Sequence, residues 1–422
     1  MQKATKAPGP GVGSTLRTLS SRFFRAPLSS SSQGAPAATA ARTKPASAVA
    51  PLIDDLDTGT ADVRLLIFAD GPGATQIISF DLPLRKEREA GRLRLRMLSE
   101  ADFQCATAPD ADELAETVIS DFDPTHVIVS RFGDMGTSGI VTACQRRGLP
   151  FVMHLDDNLF AVPEALGASK FRKYNDPARL GRLRLLCERA QTIYASTAEL
   201  GRQISALGFT TPVVAGEIYC SAPAIPVPYT PPATPVIGYM GTAGHAADLD
   251  MIVPAIVRIL EKYPDARFET FGSIKMPKTL AKTFGERVAA RPAAASYLEF
   301  VQLFQTMNWT CGLAPLQDTR FNACKANTKF IEYTVAGMPC IASDTIVYRD
   351  SLAEGRGLLA RTPEDWFDAM ESIINNPIGA HSMLEKAQSA LHSNWSADAL
   401  RDQLIRICNL PAALRALDQP SG

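Results

Sequence analysis

The sequence lacks the residue spacings that build metal sites and disulfide frameworks. Its eight cysteines are scattered without a CxxC pair, and its five histidines show no ligand spacing such as HExxH. The cysteines are therefore predicted to be small core residues in a reducing compartment, and no metal site is expected. The chain also has no run of 18 apolar residues, so the sequence predicts no membrane span.

The chain has no excess of charge of either sign, since 43 Lys and Arg residues stand against 44 Asp and Glu residues. Residues 1–50 nevertheless hold seven basic side chains and no acid, which leaves the remainder mildly acidic. A nucleic-acid-binding protein needs a basic face. We therefore expect no nucleic-acid partner.

Residues 1–60 are rich in Ser, Ala, Thr, Pro and Gly and contain few large apolar groups. Such a segment buries too little surface to offset its ordering entropy, which predicts a disordered basic tail. Residues 15–28 (TLRTLSSRFFRAPL) leave three interpretations open. They are a solvated tail, a weak anchor to an anionic membrane, or an organelle transit peptide.

From residue 61 onwards, apolar strands alternate with helices, which predicts parallel sheets covered on both faces. A first Rossmann-like domain is predicted at 61–220, a proline-rich linker at 221–235 and a second Rossmann-like domain at 236–395, followed by a C-terminal helix and tail at 396–422. This is an α/β fold of two doubly wound domains that face a cleft, where ligands bind beyond the carboxyl ends of the strands. The predicted strands are 63–68, 126–130, 150–155, 192–195, 212–215, 236–240, 266–271, 310–315, 340–342 and 358–359, and the predicted helices are 139–147, 178–189, 198–207, 249–263, 303–308, 327–336, 363–375, 379–392 and 396–408.

The most informative stretch is 312–343, which reads as strand, polar loop, helix, Gly-Met-Pro turn and strand. Lys325 and Lys329 are four residues apart and share one helix face, and Glu332 follows on the same side. A loop that leads into a helix N-terminus binds phosphates, because free N–H groups and the helix dipole favour negative charge. Since Glu332 is also placed to accept hydrogen bonds from a ribose, the stretch predicts a nucleotide-diphosphate site.

Four segments carry a resemblance to a known family. They are FVMHLDDNLF at 151–160, AQTIYASTAEL at 190–200, GTAGHAADL at 241–249 and FNACKANTKFIEYTVAGMPCIAS at 321–343. The last resembles the FNxxKxxxKxxEYxxxGxPxxAS pattern of bacterial polysaccharide-type transferases. The chain thus resembles a GT-B glycosyltransferase of the group 1, family 4-like class. The resemblance implies transfer of a sugar from a nucleotide-diphosphate sugar to a glycan or lipid-linked acceptor, with retention of configuration favoured.

In that family the second domain grips the nucleotide and the first domain offers the acceptor. The resemblance implies a set of donor-binding residues: Gly241, Thr242, Gly244, Asn322, Lys325, Lys329 and Glu332. The residues implied on the catalytic side are Asp318, His154 and Asp156. His154 and Asp156, with Asp157 beside them, end a first-domain strand and are expected to point across the cleft. No cofactor is implied besides the nucleotide sugar, and the activity is expected to be independent of metal ions or only weakly dependent on them. A bacterial cytoplasmic setting, with weak peripheral contact at the inner face of the membrane, also follows from the resemblance.

The chain departs from the family at two places. The family usually shows two glutamates eight positions apart; Glu332 fits the second, but the first falls on Cys324. The usual Arg/Lys pair after the first strand of the second domain is absent, since 240–246 reads MGTAGHA. The phosphate charge is therefore expected to rest on Lys325 and Lys329, and the sugar-side carboxylate on another residue such as Asp318.

Simpler interpretations stay open for several of these residues. His154 fits a hydrogen-bonded core histidine as well as a ligand group, and His245 fits a loop histidine or a helix-cap partner. Asp156 and Asp157 also fit a helix cap and turn. Two other functions are consistent with the missing glutamate or with the fold: a non-catalytic GT-B subunit that binds a nucleotide or glycan, and a sugar-nucleotide epimerase or hydrolase.

Overall fold

The computed structural model describes residues 52–55, 61–220 and 225–415, which form two parallel β-sheets with helices on both faces. The strands of the first sheet are β1 (Ile53–Asp54), β2 (Val63–Ala69), β3 (Leu93–Ser99), β4 (His126–Ser130), β5 (Phe151–Leu155), β6 (Thr192–Ala195) and β7 (Val213–Ala215). Those of the second sheet are β8 (Val236–Met240), β9 (Arg267–Phe271), β10 (Val288–Arg291), β11 (Cys311–Ala314), β12 (Cys340–Ser343) and β13 (Leu358–Ala360).

Both sheets are doubly wound, as the sequence predicts. The first has the strand order β1-β3-β2-β4-β5-β6-β7 and is parallel except for β1, which pairs antiparallel with β3. The second has the order β10-β9-β8-β11-β12-β13 and all of its pairs are parallel. The order reverses between β2 and β4 in the first sheet and between β8 and β11 in the second. Ligands of such sheets bind at these switch points.

The helices connect the strands and cover both faces of each sheet. In the first domain they are α1 (Ala74–Gln76), α2 (Leu82–Glu89), α3 (Ala108–Phe122), α4 (Thr137–Arg146), α5 (Ala168–Tyr174), α6 (Pro177–Arg189) and α7 (Ala198–Ser205). In the remainder they are α8 (Ala246–Lys262), α9 (Lys278–Phe284), α10 (Tyr297–Phe304), α11 (Thr328–Val335), α12 (Arg349–Leu352), α13 (Pro363–Asn375), α14 (Pro377–Asn394) and α15 (Ala397–Ile407). Among the described residues, none of these helices combines the length and apolar content that crossing a bilayer requires.

Several helices begin where the sequence supplies both a cap and a fixed backbone angle. Asp176 accepts a hydrogen bond from the backbone N–H of Arg179, and Pro177 opens α6. Thr362 and Asp365 form a reciprocal capping box in front of α13, whose first residue is also proline. A side-chain acceptor satisfies a free N–H group of the first turn, and proline has none to lose there.

The C-terminal helix α15 packs against the first sheet although it follows the second domain in the chain. Leu404, Ile405 and Ile407 share a buried cluster with Leu65 and Ile67 of β2. The other face of the first sheet is covered by α3, α4, α6 and α7. The chain therefore crosses between the domains twice, once after residue 220 and once before α15.

Parts of the predicted organisation are wrong. The tail predicted to be disordered at 1–60 contains β1, whose Ile53 pairs with Met97; residues 1–51, including 15–28, and 56–60 lie outside the described residues. Strand β3 was missed, because its sequence LRLRMLS alternates apolar and basic residues instead of forming a continuous apolar run. The helix predicted at 303–308 begins earlier, at Tyr297, and ends at Phe304.

Residues 227–229 of the predicted linker are part of the second domain. The Val227 N–H donates to the Val335 carbonyl over 2.9 Å, and the Gln388 side chain donates to the Val227 carbonyl over 2.7 Å. Tyr229 is buried in the second-domain core. The free part of the connection is therefore shorter than 221–235, and residues 221–224 lie outside the described residues.

Candidate functional site

A cavity of about 670 Å³ lies between the two switch points. The first domain lines it with the loop and turn after β2, at Pro72–Ile77. The second domain lines it with Gly241 and Thr242 after β8, with Tyr297 at the start of α10, and with Glu332 of α11. The cavity thus lies where doubly wound sheets bind ligands.

The two lysines predicted to bind phosphate flank the start of α11. Lys325 precedes the helix, and Lys329 lies in its first turn with its ammonium 5.9 Å from the ring centre of Tyr239. Burial and the positive charge of Lys325 together lower the pKa of Lys329 to about 8, against the opposing effects of Glu332 and Asp248. Lys325 is near enough to lower the pKa of Lys329, and the Lys329 ammonium is poorly solvated. Both effects favour the binding of an anion beside the two lysines.

Glu332 lies one turn further along α11 and is 7% exposed. The Tyr297 hydroxyl donates to its Oε1 over 3.0 Å. Burial raises the pKa of Glu332 to about 7, against the opposing effects of Tyr297 and Lys329. A carboxylate that lines the cavity with one oxygen already oriented is suited to accept hydrogen bonds from a diol.

The raised pKa of Glu332 predicts a pH-dependent stability cost. Between the unfolded value of about 4.5 and the folded value of about 7, the folded protein keeps a proton that the unfolded chain loses, so stability falls as pH rises through this window. Glu332→Gln should therefore stabilise the protein by roughly 3 kcal/mol at about pH 8 and by little at about pH 4.5. Urea unfolding of both proteins at the two pH values measures this difference. The exposed Glu286→Gln is the control, and a gain for Glu332→Gln that is equal at both pH values would contradict the prediction.

The first domain contributes a cluster of charged residues at the carboxyl ends of three neighbouring strands. Asp70 follows β2, Arg131 follows β4, and Asp156 and Asp157 follow β5. Arg131 donates its Nε to Asp70 over 2.9 Å and its Nη1 to Asp156 and to Asp157, the latter over 3.2 Å. Burial alone would lower the pKa of Arg131, but Asp70 and Asp157 hold it well above its usual range. We refer to these four residues as the Arg131 cluster.

Lys325 joins the Arg131 cluster to the second domain. Its Nζ lies 3.6 Å from Asp157 Oδ1. Burial alone would raise the pKa of Asp157, but Lys325 and Arg131 outweigh this effect and lower it to about 2. One of the two predicted phosphate-binding lysines is therefore paired with a carboxylate of the opposite domain.

His154 does not point across the cleft, and the prediction of this orientation is wrong. Its ring is fully buried between Phe80 and Tyr194, with Nδ1 2.9 Å from the Ser130 hydroxyl and Nε2 3.3 Å from the Ser196 hydroxyl. Burial, assisted by Arg131, lowers its pKa to about 3. His154 is thus a neutral, hydrogen-bonded core residue, the alternative that the sequence left open.

Asp156 and Asp318 occupy different environments. Besides Arg131, Asp156 accepts hydrogen bonds from the hydroxyls of Thr75 and Tyr219, over 2.7 and 2.9 Å. Its oxygens are therefore engaged by first-domain groups. Asp318 is exposed on the loop after β11, outside the set of residues that lines the cavity.

The remaining predicted donor residues support the loops around the site. The Asn322 amide donates to the Gln317 carbonyl over 3.0 Å and so closes the loop after β11. A Cβ added at Gly241 would lie 2.9 Å from the Tyr239 hydroxyl, so this backbone is already closely packed. A Cβ at Gly244 would lie 3.7 Å from Lys170 Nζ of the first domain, which leaves ordinary space.

Position 324, where the resembled family usually has a glutamate, is buried against the first domain. Cys324 and Phe321 are both part of the first-domain core cluster. The Thr197 hydroxyl donates to the Cys324 carbonyl over 2.9 Å, and the Gln203 side chain donates to the Arg320 carbonyl over 2.8 Å. A side chain at position 324 therefore packs against the first domain and does not line the cavity.

Sequence reasoning missed three residues that shape the site. Asp70 and Arg131 each stand directly after a buried strand at the switch point, and Tyr297 opens the helix that faces Glu332. The strand ends of β2 and β4 were predicted, so a search for charged residues just beyond them would have found Asp70 and Arg131. Among the described residues, no group of three or more His, Cys, Asp or Glu side chains is arranged to hold a metal ion.

Comparison with known proteins gives structural neighbours but no sequence relatives. No family model matches the chain. No curated protein sequence matches it either.

Among solved structures, HepE from Anabaena in complex with UDP-glucose is similar, with a TM-score of 0.56 and 13% identity over 81% of this chain and 98% of HepE. Sucrose-phosphate synthase from Thermosynechococcus elongatus has a TM-score of 0.57 and 10% identity over 82% and 98% of the two chains. The UDP-forming α,α-trehalose-phosphate synthase from Burkholderia xenovorans, in complex with glucose-6-phosphate, has a TM-score of 0.54 and 13% identity over 82% and 100%. These similarities extend over nearly the whole length of each neighbour and include both sheets. The protein has the GT-B fold.

Proposed function

We propose that this protein is a glycosyltransferase that moves a sugar from a nucleotide-diphosphate sugar to a glycan or lipid-linked acceptor. The observation that carries the proposal is that Glu332 of α11 lines the same cavity as Gly241 and Thr242, with Lys329 one turn before it on the helix and Lys325 just before the helix. Cations and a helix N-terminus suit a diphosphate, and the buried carboxylate suits the ribose beside it. Similar structures with UDP-glucose, or with UDP and glucose, are known for HepE.

In this mechanism the main task of the protein is to stabilise the leaving group. As the bond between the sugar C1 and the phosphate oxygen breaks, negative charge grows on the diphosphate. A diphosphate bound at the start of α11 would find Lys325, Lys329 and the backbone N–H groups of the first turn near this charge. Residues of both domains line the cavity and would orient the donor.

The first experiment is a thermal-shift panel of UDP, GDP, ADP, CMP and dTDP with the wild type. A ligand at about 100 times its Kd stabilises by about 2.7 kcal/mol, a shift of a few degrees. We expect one nucleotide to raise Tm and the variant Lys329→Ala/Glu332→Ala to lose this response. The matched control is Lys282→Ala/Glu286→Ala, which changes the same residue types on the exposed surface of the same domain. A Tm response retained in the first variant would contradict the proposed site.

A non-catalytic nucleotide-binding subunit is the second candidate. Cys324 favours it, because the position of the missing glutamate is occupied by an uncharged side chain that is buried against the first domain. Turnover separates the two candidates. The subunit hypothesis predicts nucleotide binding without sugar transfer or donor hydrolysis on any donor and acceptor pair.

A further inference from the structure

His245 lies in the loop after β8 and has no role in the site described so far. Its Nδ1 is 2.7 Å from Asp248 Oδ2. Asp248 is 5% exposed, and its other oxygen accepts a 2.8 Å hydrogen bond from the backbone N–H of Gln317. The carboxylate is thus fixed from the loop after β11. It orients the imidazole and holds a proton on Nδ1.

The second ring nitrogen of His245 is available to a ligand. Within the part of the chain that the structure describes, no group hydrogen-bonds to Nε2, and the side chain is 19% exposed. The same loop begins with Gly241 and Thr242, which line the cavity. The His245 backbone N–H donates to the Thr242 carbonyl over 3.0 Å, so a diphosphate bound against Thr242 would lie near the imidazole.

The charges around His245 keep it neutral in the empty protein. The positive charge of Lys329 and burial lower its pKa to about 4, with a smaller contribution from Lys325 and an opposing one from Asp248. Lys170 of α5 also approaches the loop, at Gly244. A bound diphosphate reverses this balance, because its negative charges offset the lysines that keep the proton off the ring.

We propose that His245, oriented by Asp248, takes up one proton when a nucleoside diphosphate binds and donates its Nε2–H to a phosphate oxygen. The inference rests on the proposed function and adds a residue to that site. During transfer, the bond between C1 and the phosphate oxygen breaks and its electron pair goes to that oxygen. The acceptor oxygen forms the new bond to C1 and releases its proton to water. The proton of His245 stays on Nε2, stabilises the leaving group and is released when the nucleotide leaves.

Proton uptake can be measured without a sugar substrate. Titration calorimetry is carried out at about pH 6 in buffers of different ionisation enthalpy. The ligands are UDP and inorganic pyrophosphate, a probe that lacks the nucleoside. The dependence of the binding enthalpy on the buffer gives the number of protons taken up. Glu332 and the terminal phosphate of UDP, whose second pKa is near 6, also exchange protons. Their contribution is removed by comparison with His245→Gln, and the exposed His392→Gln is the matched control.

We expect the wild type and His392→Gln to take up more protons than His245→Gln, by up to about one proton per diphosphate. Asp248→Asn should also lower the uptake, because it removes the charge that stabilises the imidazolium, and it serves as the second variant if His245→Gln does not fold. Equal uptake in wild type, His245→Gln and Asp248→Asn would overturn the inference and leave the diphosphate site in place. Absence of binding of both UDP and pyrophosphate to the wild type would overturn the diphosphate site itself.

Discussion

Arg131→Ala should destabilise the protein by about 3–5 kcal/mol, because it leaves three neighbouring carboxylates without their shared cation. Asp70, Asp156 and Asp157 each lie within hydrogen-bond distance of this one guanidinium. Lys325 remains within 3.6 Å of Asp157 but lies on the opposite domain and reaches only one of the three acids. The measurement is the urea midpoint at about pH 7, monitored by circular dichroism.

Two comparisons distinguish this charge effect from a general loss of packing. The exposed Arg189→Ala should change the midpoint by little, as is usual for surface substitutions. The cost of Arg131→Ala should shrink as pH falls from 7 towards 2, because Asp157, whose pKa Lys325 and Arg131 lower to about 2, takes up its proton at higher pH once the guanidinium is gone. A cost that is the same at pH 7 and at acid pH would show that the charge cluster is not the cause.

Lys329→Met should lower kcat by about 10²–10³-fold, since it removes one cation that would stabilise the leaving group. The assay uses a sugar donor that carries the nucleotide identified by the thermal-shift panel. Methionine keeps most of the apolar stem that packs near Tyr239, so the fold should be preserved. Stability should not fall, because the buried ammonium is itself costly, as its lowered pKa of about 8 indicates. Steady-state kinetics with Lys282→Met as the surface control measures the effect.

The pH dependence of kcat/KM is a second test of the role of Lys329. In the free protein its ammonium is charged below about pH 8 and neutral above it. The value of kcat/KM should therefore decrease as pH rises through 8, and this decrease should be absent in Lys329→Met. If kcat/KM decreases in the same way above pH 8 in wild type and Lys329→Met, the titrating group is not Lys329.

Much of the fold could be predicted from the sequence because buried parallel strands are continuous apolar runs. Strands such as β2 and β4 stand out in this way, and the helices α13 and α15 are marked by caps and apolar periodicity. Strand β3 could not be found by the same rule. Its outward positions carry Arg94 and Arg96, so it has the alternating pattern of a half-buried strand.

The candidate site was only partly predictable, because motifs specify residue types and not orientation. Lys329 and Glu332 are placed by one helix, whose spacing can be read from the sequence. Lys325 precedes that helix with an extended backbone, so the prediction that it shares a helix face with Lys329 is wrong. The direction of His154 depends on the residues that pack around its ring, which belong to other strands and helices. Likewise, nothing local to Phe321 and Cys324 indicates that they are buried against the opposite domain.

The burial of Phe321 and Cys324 in the first-domain core has a mechanical consequence. Both residues belong to the second domain by sequence, and the chain continues directly from them into the two lysines proposed to bind phosphate. Separating the domains with this loop on the second domain would expose the Phe321 side chain, at a cost of roughly 1.5–3 kcal/mol, which limits the open population to below about 10%. The loop therefore acts as a tether. An opening that instead leaves the loop on the first domain would draw Lys325 away from α11 and from the proposed diphosphate site, so it would also weaken the hold on a bound nucleotide.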